Sequence, residues 1–289
     1  MSYYSGKFEV NTNLSSLILQ NQFNTITSDI IKLMERVSTQ QRVNSASDDP
    51  SGSALITGYN AQISSMKVAQ DNSRKGIELL STTESGLNSI KEELNNMKKY
   101  LEIARDATKT EAEKTEANIN FKASISAIDR YASDTNYNGI KLLDGSNSAD
   151  GKIVIQTDIK NNNASKFDIS KALLNTNTHS LGIRDLQIFV SGSTIDLDEV
   201  EEKIDAATRA VDSRLLTSGT MMQSLNSNIT RLSNQSKYLG ETRDIILKAD
   251  TASDTAELTK MQLLQQTTAT LLQQANSSSS LALTLISRY

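Results

Sequence analysis

Apolar residues spaced alternately three and four apart recur through this chain over stretches longer than the helices of a compact domain. Leu87, Ile90, Leu94, Met97, Leu101 and Ala104 make one such run, and Leu19, Phe23, Ile26, Ile30, Leu33 and Val37 make another. Only an α-helix places those positions on one face. A stripe that narrow suits helices packed side by side, because a coiled-coil seam needs about two apolar residues in seven. Composition agrees: aromatic residues are 4% of the 289, tryptophan is absent and hydrophobic residues reach only 37%, too few bulky side chains for a thick globular core. The expected fold class is mainly α: a rod of long coiled-coil helices, paired N- and C-terminal helices, and a small β-rich excursion.

Pro50 is the only proline, and it marks a boundary. The first stripe stops before Arg42. Ser47, Asp48 and Asp49 then offer side-chain oxygens to unpaired amides, and proline suits a first helical turn, where its missing N–H is not needed. The first helix is expected from about Asn13 to Gln41, with Asn11, Thr12 and Asn13 as candidate caps. The second runs from Pro50 through Ile63, Met66, Ile77 and Leu80 into the Leu87–Ala104 stripe, weakened locally but not ended by Gly76 and Gly86. Residues 107–117 read as a solvated link or helix start, ahead of a shorter helix carrying Phe121, Ile125, Ile128 and Ala132.

Turn chemistry then takes over. Asn138-Gly139 and Asp144-Gly145 are tight-turn dipeptides, and the runs IVI at 153–155 and LQIFV at 186–190 are rich in strand formers, so residues 137–197 read as the β-rich excursion. A long helix resumes near Asp198 with Ile204, Ala207 and Val211, then Met222, Leu225, Ile229, Leu232 and Leu239, its register shifting near Gly219 as a stutter would. The last segment spaces Met261, Leu264, Thr268, Leu271 and Ala275 three and four apart. Both ends are rich in Asn, Thr, Ser and Gln, and such helices are marginal alone, since nucleation is unfavourable and propensity mediocre. The simplest partner for one end is the other. Leu17, Ile18, Ile31, Met34, Leu263 and Leu272 are left on the flanks for further neighbours, as in a self-assembling subunit. Polar seam residues such as Thr268, Ser236 and Arg243 either select register or mark helices partly exposed in the lone chain.

The same residues offer little to other chemistry. A net charge of −4, with acids and bases interspersed, leaves no basic patch for phosphate backbones, so no nucleic acid is expected as a partner. No run approaches the roughly 20 apolar residues of a membrane span, so no membrane partner is expected either. MSYYSGKFEV lacks an apolar signal core, which reads as cytosolic or as exported without a cleavable signal. Cysteine is absent, and with it disulfides and thiol ligands. Asp48 and Asp49 are adjacent and point in different directions, and capping accounts for both better than acid–base work. His179, the sole histidine, has neither a cysteine nor a second histidine to share a metal. Phosphate-loop, nucleophile-elbow and H-E-x-x-H patterns are missing. Met66, Met97, Met222 and Met261 sit at seam positions and read as packing. No catalytic residue, cofactor or metal is expected.

VNTNLSSLILQNQ at 10–22, RVNSASDDPSGSALI at 42–56, TNYNGIKLLDG at 135–145 and LTKMQLLQQTTATLLQQAN at 258–276 resemble, in the same order, segments of bacterial flagellins. The resemblance implies a structural protein and no enzyme: a subunit exported through the flagellar type III apparatus that polymerises with its own kind into the extracellular filament. Export chaperone and filament cap or junction proteins are the implied partners. Residues 1–45 and 249–289 become the two halves of a filament-core helical domain, and residues 46–248 the rod domain, with its β region at about 137–197. Leu19, Phe23, Ile26, Ile30, Leu33, Val37, Met261, Leu264 and Leu271 are the implied subunit-assembly residues. Arg42, Asn44, Asp48, Asp49 and Pro50 are the spoke joining core to rod.

Flagellins more often read Asp-Asp-Ala-Ala-Gly where this chain has Asp48-Asp49-Pro50-Ser51-Gly52, a form closer to hook–filament junction proteins of the same superfamily. LLQQANSSSSLALTLI near the C-terminus is closer to flagellin. A junction protein is therefore the alternative, and a secreted adhesin binding glycans through residues 146–197 is another. In flagellins detected by the animal Toll-like receptor for flagellin, the rod presents an Arg, a Leu four residues on, and a Glu on the following helix. The resemblance places Asn96, Tyr100 and Asn120 at those positions.

Overall fold

The computed structural model describes residues 13–146, 153–159 and 166–286. The helices are α1 (Leu14–Thr39), α2 (Pro50–Arg105), α3 (Glu111–Asp134), α4 (Leu197–Leu247) and α5 (Thr251–Ile286). Four short strands lie between α3 and α4: β1 (Asn136–Tyr137), β2 (Ile140–Lys141), β3 (Val154–Gln156) and β4 (Lys166–Asp168). The mainly-α class holds. Asn13 caps α1 by accepting from the Ser16 amide at 3.0 Å. Asn11, Thr12 and the closing SRY lie outside the described residues. Pro50 opens α2, which runs on through both glycines to Arg105.

The chain forms two compact units, one built from the segments up to Asn60 and from Leu239 onward, the other from Ala61–Tyr238. In the second, the stripe of Leu87, Ile90, Leu94, Met97 and Leu101 is fully buried in one cluster with Phe121 and Ile128 of α3 and Ile204, Val211 and Leu225 of α4. Each such side chain contributes about 1.5–3 kcal/mol by leaving water. α2 and α4 are antiparallel, and their flanks carry a charge ladder at seven-residue steps: Lys91 to Asp212 at 2.6 Å, Lys98 to Asp205, and Arg105 to Asp198 at 2.5 Å. Rungs this exposed are worth about 0–1 kcal/mol each. Their order along the two helices nevertheless matches only the antiparallel pairing.

The charged 107–117 stretch is both link and helix start. Thr110 and Glu113 close a capping box, with the Glu113 amide donating to Thr110 Oγ1 at 3.3 Å and the Thr110 amide to Glu113 Oε2 at 2.9 Å. That backbone hydrogen bond, with Lys109 and the Thr110 hydroxyl, holds the Glu113 carboxyl down at about 2.

Two expectations are corrected here. α4 has no register shift at Gly219: Val211, Ser218, Leu225 and Leu232 are buried at seven-residue intervals. Ser218 fills a seam position because its hydroxyl donates to the Leu80 carbonyl at 3.3 Å, a partner invisible in the sequence. The LQIFV run at 186–190 forms no ladder strand. Leu186 and Ile188 are buried as strand residues would be, but the Ile188 amide donates to Asn118 Oδ1 on α3 at 3.1 Å, so a helix side chain takes the place of a neighbouring strand. An isolated bridge between Val190 and Ser193 is its only pairing among the described residues.

The strands that do form are short. β1 and β2 pair antiparallel, Asn136 with Lys141 and Tyr137 with Ile140, around Asn138-Gly139, whose φ values of 50° and 83° suit a tight hairpin turn. β3 pairs with β4, Ile155 opposite Phe167. The excursion seats on α2 where α2 has no side chain. A Cβ on Gly76 would lie 2.2 Å from Ile155 Cδ1, and one on Gly86 would lie 2.4 Å from Thr135 Oγ1 and 2.9 Å from Leu143 Cδ1. Gly86→Ala is therefore expected to cost about 1–3 kcal/mol in overpacking against roughly 1 kcal/mol gained in helix propensity, a net loss of up to about 2 kcal/mol that a lowered urea midpoint checks.

Candidate functional site

In the first unit α1 and α5 pair antiparallel. Three polar contacts set the register: Asn13 Nδ2 donates to the Ala275 carbonyl at 2.9 Å, Gln265 Nε2 to Thr27 Oγ1 at 2.9 Å, and Arg36 meets Asp254 at 3.0 Å. α1 turns its expected stripe inward, with Ile26, Ile30 and Leu33 buried and Leu19, Phe23 and Val37 half-buried. On α5 the protected positions include Asp254, Leu258, Met261, Gln265, Thr268, Leu272 and Ala275. Met261, Thr268 and Ala275 match the expected stripe. Leu264 and Leu271 do not: they are 42% and 46% exposed, and Gln265 and Leu272 take their places. With three-four spacing either neighbour fits the periodicity, and the polar contact of Gln265 with Thr27 goes with the less apolar choice.

The interface is consequently thin and partly polar. Asp254 is nearly buried against Arg36, yet Asp254 Oδ2 and Arg36 Nε are buried with no hydrogen-bond partner among the described residues. A buried pair satisfied on one side only adds little net stability. Meanwhile Leu14, Leu17, Ile18, Ile31 and Met34 of α1 and Leu263, Leu264, Leu271 and Leu281 of α5 face outward, 42–64% exposed. Apolar surface of that extent on paired helices is characteristic of an interaction face.

Between α1 and α2, and beside it between α4 and α5, the chain breaks helix at the same level. The Arg42 amide donates to the Leu247 carbonyl at 2.7 Å and the Ala249 amide to the Gln40 carbonyl at 3.1 Å, stitching the two breaks into one elbow. Gln40 turns there with φ 57°, a left-handed conformation usually left to glycine. Arg42 Nε donates to the Ile246 carbonyl at 3.2 Å, while its Nη2 reaches Asp49 at 3.1 Å. Asp49 caps α2 through the Gly52 amide at 2.8 Å. Asp48 instead accepts the Asn44 and Ser45 amides at 3.1 and 2.7 Å, closing the loop before it. The two carboxylates thus serve opposite sides of Pro50, each committed to backbone amides.

Both carboxyls are held below their ordinary value, Asp48 chiefly by the Ser45 amide and Asp49 by the Gly52 amide and then Arg42. Lowered folded-state values mean that the stabilisation is present above the unfolded carboxylate value, about 4, and is lost as pH falls through the lower folded values. The thermal midpoint is expected to drop below about pH 4, and to drop less steeply in a chain carrying Asp48→Asn and Asp49→Asn. Scanning calorimetry across that range checks it.

The remaining predicted positions lie in the second unit. Asn96 is half-buried and accepts from Lys99 Nζ at 3.3 Å, Tyr100 packs partly buried against the core cluster, and Asn120 is exposed on α3. His179 is exposed beside a hollow shared with Asp129, whose carboxylate is occupied by the Thr178 amide and hydroxyl, both at 2.8 Å. Sequence reading missed Arg36, Asp254 and Gln265. Heptad-spaced basic residues at 91, 98 and 105 against acids at 198, 205 and 212 were a usable signal for the rod ladder. No described helix is long and apolar enough to cross a membrane.

Residues 10–148 match the family described as bacterial flagellin N-terminal helical region, and residues 202–286 the one described as bacterial flagellin C-terminal helical region. A flagellin of Listeria innocua serovar 6a is 30% identical over 282 residues, covering 93% of this chain and 96% of the relative, and one of Listeria monocytogenes serovar 1/2a matches to the same extent. Among solved structures, a Bacillus cereus flagellin superposes with a TM-score of 0.44 at 23% identity, over 56% of this chain and 88% of that one.

Proposed function

The chain belongs to the bacterial flagellin family, and from that premise we propose that it is the repeating structural subunit of an extracellular flagellar filament, exported and polymerised for motility. The observation that carries the assembly reading is the α1–α5 pair, which buries a thin, partly polar seam and turns nine large apolar side chains outward. A helix pair so composed gains its stability from neighbours, and identical subunits supply them. In this reading residues 1–45 and 249–289 form the filament core, residues 46–248 the rod, and Arg42 to Pro50 the spoke between them. An export chaperone and the filament cap complete the list of partners. Electron microscopy of purified protein seeded with filament fragments tests the proposal. Long growing tubes support it; seeds that stop after a short added segment point instead to a hook–filament junction protein.

Recognition by the animal receptor for flagellin is expected to be weak. A short neutral amide at Asn96 and Asn120 replaces the charge-assisted hydrogen bonds that an Arg and a Glu supply. Loss of an arginine hot spot alone costs about 2 kcal/mol, roughly thirtyfold in affinity. A reporter-cell assay measures it: potency equal to that of a strongly detected flagellin contradicts the expectation, and a gain with Asn96→Arg and Asn120→Glu together supports it.

A further inference from the structure

Asn138-Gly139 is the only Asn-Gly dipeptide in the chain. The Asn138 side chain is exposed and makes no hydrogen bond among the described residues, and it stands at the tip of a hairpin held by two residue pairs. Glycine at the next position puts no side chain in the way of attack on the asparagine amide. The second tight turn, Asp144-Gly145, provides an internal contrast. Asp144 Oδ1 accepts the Ser146 amide at 2.9 Å and the Ser146 hydroxyl at 2.7 Å, and Gly145 is closed against Asn175. Asn72, Asn88, Asn226 and Asn276, each followed by serine, lie inside α2, α4 and α5, where the following amide is committed to the helix, and in the loop before α2 Asn44 Nδ2 donates to the Gln41 carbonyl at 3.3 Å and the Ser45 amide to Asp48 at 2.7 Å.

We propose that Asn138 is a site of spontaneous deamidation, a place where this protein ages chemically. The Gly139 backbone nitrogen, losing its proton, attacks Cγ of Asn138; a C–N bond forms, the amide C–N bond breaks and ammonia leaves, giving a cyclic imide. Water then opens the imide at either carbonyl to leave aspartate or isoaspartate. No oxidant or other co-reactant is required. A hairpin this short opens locally at little cost, and the attack proceeds from the opened turn.

The product matters because of what the turn anchors. Isoaspartate inserts an extra carbon into the main chain and destroys the two-residue turn that sets the pairing of Tyr137 with Ile140. Immediately beyond it, the Leu142 amide donates to the Thr135 carbonyl at 3.0 Å, and Leu142 and Leu143 are buried in the rod core. Thr135 and Leu143 are also the residues seated on Gly86. Either product adds a carboxylate to a groove whose wall includes Lys75.

The full-length chain, incubated at mildly alkaline pH and mapped by peptide mass spectrometry, tests this, with methyl uptake from an isoaspartate methyltransferase reporting the isomerised fraction. Asn138 is expected to lose its amide at least about tenfold faster than any helical asparagine, because those must first unfold a helix turn. Methyl uptake is expected to fall to background in Asn138→Gln, whose longer side chain does not form the five-membered ring. Loss at Asn138 no faster than at the helical positions, or methyl uptake unchanged by Asn138→Gln, overturns the proposal. If that variant folds poorly, the per-residue rates in the wild-type chain decide alone. The readout is independent of polymerisation, so failure of the filament proposal leaves it intact.

Discussion

Leu271→Asp is expected to leave the free chain folded and to abolish polymerisation. Leu271 is 46% exposed on the face of α5 turned away from α1, so a carboxylate there keeps its water in the lone subunit. Covered by an apolar face of a neighbouring subunit, the same carboxylate loses that water, at a cost of roughly several kcal/mol for every subunit added. Leu33→Asp is the informative contrast. Leu33 is buried in the α1–α5 seam, so the charge disrupts the helix pair before any assembly. Circular dichroism of the free chain together with sedimentation after seeding separates the two: the Leu271 variant loses only sedimentation, and the Leu33 variant loses helix as well. Polymer formed at normal yield by Leu271→Asp would exclude this face of α5 from the subunit contact.

The second large effect belongs to the rod. Phe121→Ala is expected to destabilise the Ala61–Tyr238 unit by about 3–5 kcal/mol, because Phe121 is fully buried in the cluster to which α2, α3 and α4 contribute and its removal leaves a cavity there. For a unit of this size that lowers the thermal midpoint by about 10 °C. Tyr131→Ala on the same helix serves as the control, being exposed, and is expected to shift the midpoint little. Equal shifts for the two variants would place the rod core elsewhere.

Where the determinants are local, the sequence is a good guide. Asn13 and Pro50 mark helix starts because a cap or a fixed φ acts within three residues, and the Leu87–Leu101 stripe is legible because every member is large and apolar. Where a partner distant in sequence decides, reading stops. Ser218 conceals a continuous seam because its acceptor is on α2. LQIFV looks like a strand because it is rich in strand formers, and Leu186 and Ile188 are indeed buried, but Asn118 on α3 supplies its hydrogen bond. On α5 the choice between Leu264 and Gln265 is invisible to periodicity, since one residue of rotation separates them and the deciding atom belongs to Thr27. The elbow was legible only in part: Asp49 caps its own helix, whereas Arg42 gives its Nε and its amide to the carbonyls of Ile246 and Leu247, more than 200 residues away.

Those long-range partners are also nested. Asn118 meets Ile188 70 residues on, Arg105 meets Asp198 after 93, Lys91 meets Asp212 after 121, Arg42 meets Ile246 after 204, and Asn13 meets Ala275 after 262. Each pairing encloses the one before it, like successive bights of a doubled rope. Once an inner pairing has closed, the loop that the next must close is short, although the intervening sequence is long, so the loop entropy of the outer pairs is largely met in advance. Closure from the middle outward, and opening from the ends inward, is the order that this nesting favours. The two termini can part, search and rejoin while the rod stays shut, without any strand having to be threaded through another.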